Sequence, residues 1–334
     1  MTGRCARRTH RGAPAHKENF LRYLIKKIIV LILTMFVISL FTFLAFHIIP
    51  GDPARLILGT SASEAKLEAL RRQLGTDLPL HSQYINWITG FVRGDFGTSI
   101  RYSMPVKDLI GGHVTVTVLL GIMVMIMTLI VSIPLGIFAA RKRGTITEQI
   151  IEAVTMTGIS IPGFFLSILF MWVFGLVLHL FTPGNYVSYR DNPAGFFRFM
   201  FFPALAIAVP QIATLTKYVR TSVLGELDKD YVRTAKGKGS TMHRILYGHV
   251  LRNAIVAVIP LIGMMIGSIF SGSIIVEQVF GVPGIGRLLI ASVTGRDFPL
   301  TQTLVMYVAF VIVITNFIVD ILIQLIDPRI RISE

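Results

Sequence analysis

Sulfur chemistry is nearly absent from this sequence: its 334 residues include one cysteine, Cys5, in a polar N-terminal stretch. A single thiol excludes a disulfide framework and a cysteine metal site within one chain. Charge is scarce too, at 15% of residues, with 18 Asp and Glu against 32 Lys and Arg. A soluble globular domain carries about a quarter charged residues. Hydrolase signatures are missing as well. Neither H-E-x-x-H nor G-x-S-x-G occurs, and the eight histidines, among them His47, His113, His179 and His249, are scattered without ligand spacing. Gly237-Lys238-Gly239-Ser240-Thr241 has the letters of a phosphate loop without its G-x-x-x-x-G-K-[ST] spacing, and no buried strand precedes it, so the chain is not expected to bind ATP itself.

What the sequence has in abundance is apolar run. Hydrophobic residues make up 53% of it, which implies an all-α integral membrane protein, because only helices or closed barrels satisfy their backbone in lipid. Residues 1–19 are basic and aperiodic and read as a disordered cytoplasmic tail. Ile28 to Ile49, inside a first transmembrane segment at 20–49, is long enough to cross a ~30 Å hydrocarbon core. No small-residue cleavage site follows it, so it reads as an anchor. Residues 50–112 are polar, nearly charge-balanced and amphipathic around Glu64 to Leu70, as suits a small cap outside the membrane. Five more spans are expected within 113–326, for about six in all: Val114 to Ala140, Ile150 to Leu180, Phe201 to Val219, Ala254 to Val276 and Thr301 to Ile326. The second of these five is interrupted by Gly158-Ile159-Ser160-Ile161-Pro162-Gly163, which reads as helix bending. Small residues in the fourth, from Gly263 to Ser273, suit close helix packing. Glu277 to Leu288 reads as an external loop. Asp320 is the one acid read as lying securely inside a span, and a packing partner on a neighbouring span is expected for it.

The polar island at 223–252 carries the strongest local signals. Asp228 to Lys236 reads as a short helix ended by glycines, and Ser240 or Thr241 as the cap of a second. Ala235, Gly237 and Gly239 would leave one side of the bend nearly bare, open to the groove of another protein. Spacing alone fits an ordinary basic cytoplasmic loop equally well.

The run Asp230-Tyr231-Val232-Arg233-Thr234-Ala235, with Lys238-Gly239 and then His249, Leu251, Arg252, Asn253 and Ala254, resembles the EAA loop of ABC-importer permeases in its dipeptide, oligopeptide and nickel form. The resemblance continues through Pro50-Gly51-Asp52-Pro53, Leu74-Gly75, Gln83-Tyr84, Trp87 and Gly94-Asp95. It returns at Glu277 to Leu288, Arg296-Asp297-Phe298-Pro299 and Asp327-Pro328-Arg329, the last within a cytoplasmic C-terminus at 327–334. For the motifs of the cap, turn chemistry accounts for the residue types better than substrate contact does. The chain departs from the family at Gly237, where alanine is usual, and at His113 and Thr115, where an arginine and a proline are.

The resemblance implies a type I importer permease fold and a permease subunit for di- or oligopeptides, with nickel or another small solute as the alternative cargo. It also implies a homologous second permease, two cytoplasmic ATPases that hold the ATP and magnesium, and an extracytoplasmic solute-binding protein. No cofactor, nucleic acid or enzymatic activity is implied for this chain. The residues it assigns to ATPase coupling are Asp230, Tyr231, Arg233, Thr234, Ala235, Lys236, Lys238, Gly239, His249, Arg252 and Asn253. A self-sufficient secondary transporter would need ionisable groups along a proton or sodium path and more spans, and a membrane enzyme would need a catalytic motif. Independently, placing both termini on the cytoplasmic side of the cytoplasmic membrane puts about two thirds of the 32 Lys and Arg residues on that side, as the positive-inside rule requires.

Overall fold

The computed structural model describes residues 13–48, 53–59 and 62–326. The Pro50-Gly51-Asp52 and Asp327-Pro328-Arg329 motifs and residues 1–12 lie outside them. The described residues form thirteen α-helices: α1 (Ala13–Ile48), α2 (Pro53–Leu58), α3 (Glu64–Leu74), α4 (Leu80–Val92), α5 (Val106–Arg141), α6 (Ile146–Ser160), α7 (Gly163–Phe170), α8 (Pro193–Leu227), α9 (Asp230–Gly237), α10 (Met242–Ile245), α11 (Leu251–Phe280), α12 (Ile285–Thr294) and α13 (Phe298–Ile326). Wider π-helical turns extend α7 through Met171–Val177 and join α10 to α11 through Leu246–Val250. The only β pairing among the described residues is the bridge between Thr98 and Pro105.

Five stretches, Arg22–Ile48, Val106–Arg141, Pro193–Leu227, Met242–Phe280 and Phe298–Gln324, are long and apolar enough to cross a membrane. The sixth crossing expected from the sequence is a pair of helices, α6 and α7, that meet at 95°. This corrects the reading of simple bending. The chain leaves the helical conformation at Ile161, whose ψ is 119°, because a proline follows and disfavours the α region for the residue before it.

Helix α8 is the axis of the bundle, packed by α5, α6, α7 and α11. Association in lipid draws on van der Waals packing more than on a hydrophobic drive, and the contact residues are correspondingly small. Ala204, Ala206, Ala208 and Ala213 are buried along α8. A Cβ added to Gly136 of α5 would lie 2.7 Å from Val219 and 2.9 Å from the Thr216 carbonyl oxygen, and one added to Gly158 of α6 would lie 2.9 Å from the Ala213 Cβ. No alanine fits at Gly136 without parting α5 from α8. At one end of α8 an aromatic cluster closes the bundle, with Phe181 stacked on Phe202 at 4.7 Å and edge-on to Phe199 at 5.7 Å.

Two ties fix the periphery. Lys27 of α1 donates to Asp320 of α13 at 2.7 Å, the packing partner expected for that acid. Helix α4 leans on α1, where Ser39 and Tyr84 share a hydrogen bond of 2.7 Å and Phe43 packs between Tyr84 and Trp87. The segment from α2 to α5 thus consists of three short helices and a connecting loop.

Candidate functional site

The polar island folds much as its local signals dictate. Helix α9 spans Asp230–Gly237, and Gly239 takes a φ of +78°, the left-handed conformation glycine adopts at no steric cost. Thr241 caps α10 by accepting from the Arg244 N–H. Val232 is the one residue of α9 that is fully buried, inserted among Val219, Val223, Ile245, Leu246, Val250 and Ala254. Its burial pins α9 across the foot of α8 and the start of α11.

The remaining site residues divide into two groups. Asp230, Arg233, Thr234, Lys236 and Lys238 are exposed. The 3.7 Å pair of Arg233 and Asp230 has side chains 79% and 96% exposed, so it contributes little and leaves both groups free to re-pair with a partner. Tyr231, His249, Arg252 and Asn253 instead line one polar depression of about 420 Å³ with Gly248. The π-helical turn Leu246–Val250 carries Gly248 and His249, and such widened turns often re-aim side chains at functional positions. Of the three small residues expected to bare the bend, Gly237 and Gly239 face open space. Ala235 does not: it packs half-buried against the Val232 cluster.

Several residues that sequence reasoning missed hold this region in place. Glu226 accepts from the Tyr231 hydroxyl at 2.8 Å, pairs with Lys229, and is hydrogen-bonded by Asn253. Arg220 grips buried Glu148 through Nε at 2.9 Å and Nη2 at 2.5 Å, and Glu148 also accepts from the Gly144 N–H at 2.6 Å. The start of α6 is thereby clamped to the lower part of α8. Ser222 donates to the Ala254 carbonyl at 2.8 Å, binding α8 to α11. An acid and an arginine 72 positions apart carry no local signal that would have paired them.

At the opposite end of the bundle lies a second buried polar cluster. Glu277 is the closing turn of α11, not loop, and is wholly buried. It accepts from Thr117 Oγ1 of α5 at 2.7 Å and from the Gly286 and Arg287 N–H groups at the start of α12, while Thr117 accepts from the Ile285 N–H at 2.8 Å. A carboxylate thus occupies the unpaired donors of a helix N-terminus. The reading of Asp320 as the one acid inside a span is corrected accordingly. Asp297, also buried, accepts from Ser99 Oγ and from the Ile100 and Arg101 N–H groups, so it joins the loop before α5 to the start of α13.

Comparison with known proteins agrees with this architecture along nearly the whole chain. Residues 20–106 match the family described as binding-protein-dependent transport system membrane component, N-terminal. Among curated relatives, a Brucella abortus (strain 2308) protein bearing the name of a peptide transport system permease is 35% identical over 308 residues, 92% of this chain and 98% of the relative. The glutathione transport system permease protein GsiC of Escherichia coli (strain K12) is 36% identical over 311 residues, 93% of this chain and 99% of its own. A Sinorhizobium fredii protein named as a peptide ABC transporter permease is 32% identical over 309 residues, covering 92% and 99%. Residues 132–332, which hold the bundle from the middle of α5 onward together with the polar island, match the binding-protein-dependent transport system inner membrane component family, and this multi-pass chain belongs to it.

Proposed function

We propose that this chain is the permease subunit of an ATP-driven importer that moves di- or oligopeptides across the cytoplasmic membrane, and that α9 is its coupling element. The observation that carries the reading is α9 itself, a basic helix pinned by one buried valine across the foot of the central helix, with its polar side chains outward and glycines opening its end. A cytoplasmic ATPase would receive α9 in a groove. Arg233, Lys236 and Lys238 would meet acidic groups, and Asp230 and Thr234 would complete the polar face. The depression of Tyr231, His249, Arg252 and Asn253 would accept side chains of the ATPase in return. Peptide cargo is supported by the names of the relatives.

In this reading the assembly contains a homologous second permease, two ATPase subunits that bind ATP and magnesium, and an extracytoplasmic solute-binding protein. This chain performs no hydrolysis. Both termini and the 223–252 loop are cytoplasmic, which puts residues 50–112 outside as the cap. Closure of the ATPases on ATP would move α9, and the spans would alternate in access.

The test is Gly239→Asp. The site is open, with nothing within 4 Å of an added Cβ; the conformational cost of a non-glycine at its φ of +78° is about 1–2 kcal/mol, which the bundle should survive. Native chain should co-purify from mild detergent with a second permease and ATPases, whereas the variant should reach the membrane, lose the ATPases and lose peptide uptake. Unchanged uptake would remove α9 from the coupling role.

A further inference from the structure

Helices that border hydrocarbon turn apolar side chains toward it, since an amide or hydroxyl there must be satisfied within the protein. Helix α5 follows this rule with Val118, Ile122, Ile126 and Ile130 outward, and α1 with Ile29, Ile32, Leu33 and Phe36. The adjoining faces of α8 and α11 instead mix apolar with polar side chains, Thr214 bonding back to the Pro210 carbonyl. On α8 the partly exposed residues Gln211 and Thr214 lead to Tyr218, and on α11 Met264, Ser268, Ser271 and Ile275 are exposed. Each set recurs at three- and four-residue spacing, so each is one face of its helix. The two faces meet where Gln211 Nε2 donates to Ser268 Oγ at 2.9 Å.

Close packing within the chain does not explain this face. The glycines of α11 are consumed in it: Gly263 lies against Val319 of α13, and a Cβ added to Gly267 would lie 3.7 Å from Ile312 of α13 and one added to Gly272 3.8 Å from Ile207 of α8. Ser268 and Ser271 remain on the open side. The face also descends along α11 toward Asn253 of the cytoplasmic depression, so it is continuous with the coupling site.

We infer that the α8–α11 face lines the route of the cargo, and that Gln211 with Ser268 and Ser271 forms a station for the peptide backbone. This rests on the importer reading above and extends it to the place of contact. A carboxamide presents one acceptor and two donors in a plane, the complement of a peptide group, and carries no charge to trap its guest. Met264 and Tyr218 beside it offer apolar contact tolerant of different side chains. Weak, neutral binding of this kind suits a substrate that must leave again.

The chain's single cysteine makes the test direct. In a Cys5→Ser background, Ser268→Cys, Ser271→Cys and Ile126→Cys are introduced one at a time, and the assembled complex is treated with a charged, water-soluble thiol reagent. Labelling at positions 268 and 271 and none at 126 is the expected result. Gln211→Leu should slow uptake of trialanine about tenfold, the worth of one hydrogen bond, with the ATPases still bound and Gln211→Asn recovering part of the rate. Silent cysteines at 268 and 271 overturn the inference, whether they cross-link to the second permease, which makes the face a helix interface, or do not, which makes it lipid-facing. So does a Gln211→Leu variant that transports at the native rate. If the native complex takes up no peptide with ATP, the importer reading fails; if it does while the cysteines stay silent, the station alone fails.

Discussion

Thr117 and Glu277 stand 160 residues apart in sequence and 2.7 Å apart in space. The threonine donates its hydroxyl to the carboxylate and accepts the Ile285 N–H, so α5, α11 and α12 share one buried set of hydrogen bonds. Among the described residues no basic side chain takes part. The donors are the hydroxyls of Thr117 and Ser273 and the open end of a helix.

Glutamate is therefore needed at 277 for its acceptor oxygens. Glu277→Ala takes the acceptor from the Thr117 hydroxyl and from two backbone N–H groups, with that of Ser273 also affected, at about 1–3 kcal/mol for each buried donor left unpaired, and should destabilise the bundle by roughly 3 kcal/mol or more. Glu277→Gln keeps the shape and one acceptor, and should cost about 1 kcal/mol. Thermal aggregation midpoints of the purified proteins in detergent would separate the two. Equal midpoints would contradict the arrangement.

The pair of Lys27 and Asp320 predicts a different pattern. Removing one charge leaves the other unpaired near the end of its span, which costs less than the roughly 3 kcal/mol of a charge at mid-helix, whereas removing both costs only the tie between α1 and α13. Lys27→Met or Asp320→Leu alone should lower the amount of protein in the membrane, and the double variant should recover most of it. An additive loss in quantitative membrane blots would show that the two residues act independently.

Tyr231 makes a prediction about pH. Burial first, and then the hydrogen bond to Glu226, hold its phenol above the ordinary value of 10.0, against an opposing hydrogen bond with Asn253. The folded chain thus keeps this proton more tightly than the unfolded one. Its stabilising contribution is complete below the ordinary value and is lost as pH rises through the raised one. Phenolate absorbance of the native chain minus that of Tyr231→Phe should show one titration above 10.0; a titration at or below that value would remove Glu226 as a partner that matters.

What was legible in the sequence was what is written locally. Hydropathy found the long helices, and glycine and threonine at fixed offsets found α9 and the cap of α10, because a helix end is decided by its own few residues. The resemblance around Asp230 to Gly239 marked the stretch proposed here as the coupling element. The missed features depend on distant chain. Glu277 beside Gln278 reads as loop until Thr117 and the N-terminus of α12 are known to surround it. Arg220 and Glu148 look like two surface charges. Ala235 and Gly237 look alike as small residues, yet one faces the Val232 cluster and the other open space. The break after Ser160 was visible in Pro162 and Gly163, but its 95° was not, since proline sets where a helix stops and packing sets where the next one goes.

The contact between Gly136 and Val219 has a mechanical consequence. With backbone that close to a side chain, α5 and α8 have no room to slide past one another, and any motion must carry them together. Helix α8 runs 35 residues without a break in its helical course, about 50 Å at 1.5 Å per residue, and α9 is attached at its foot. The pair is a lever arm. If α9 couples as proposed, a rotation of only about 5° about the foot would sweep the far end through roughly 4 Å at that length, so a small push on α9 would be magnified into a displacement as wide as a side chain at the opposite mouth of the bundle.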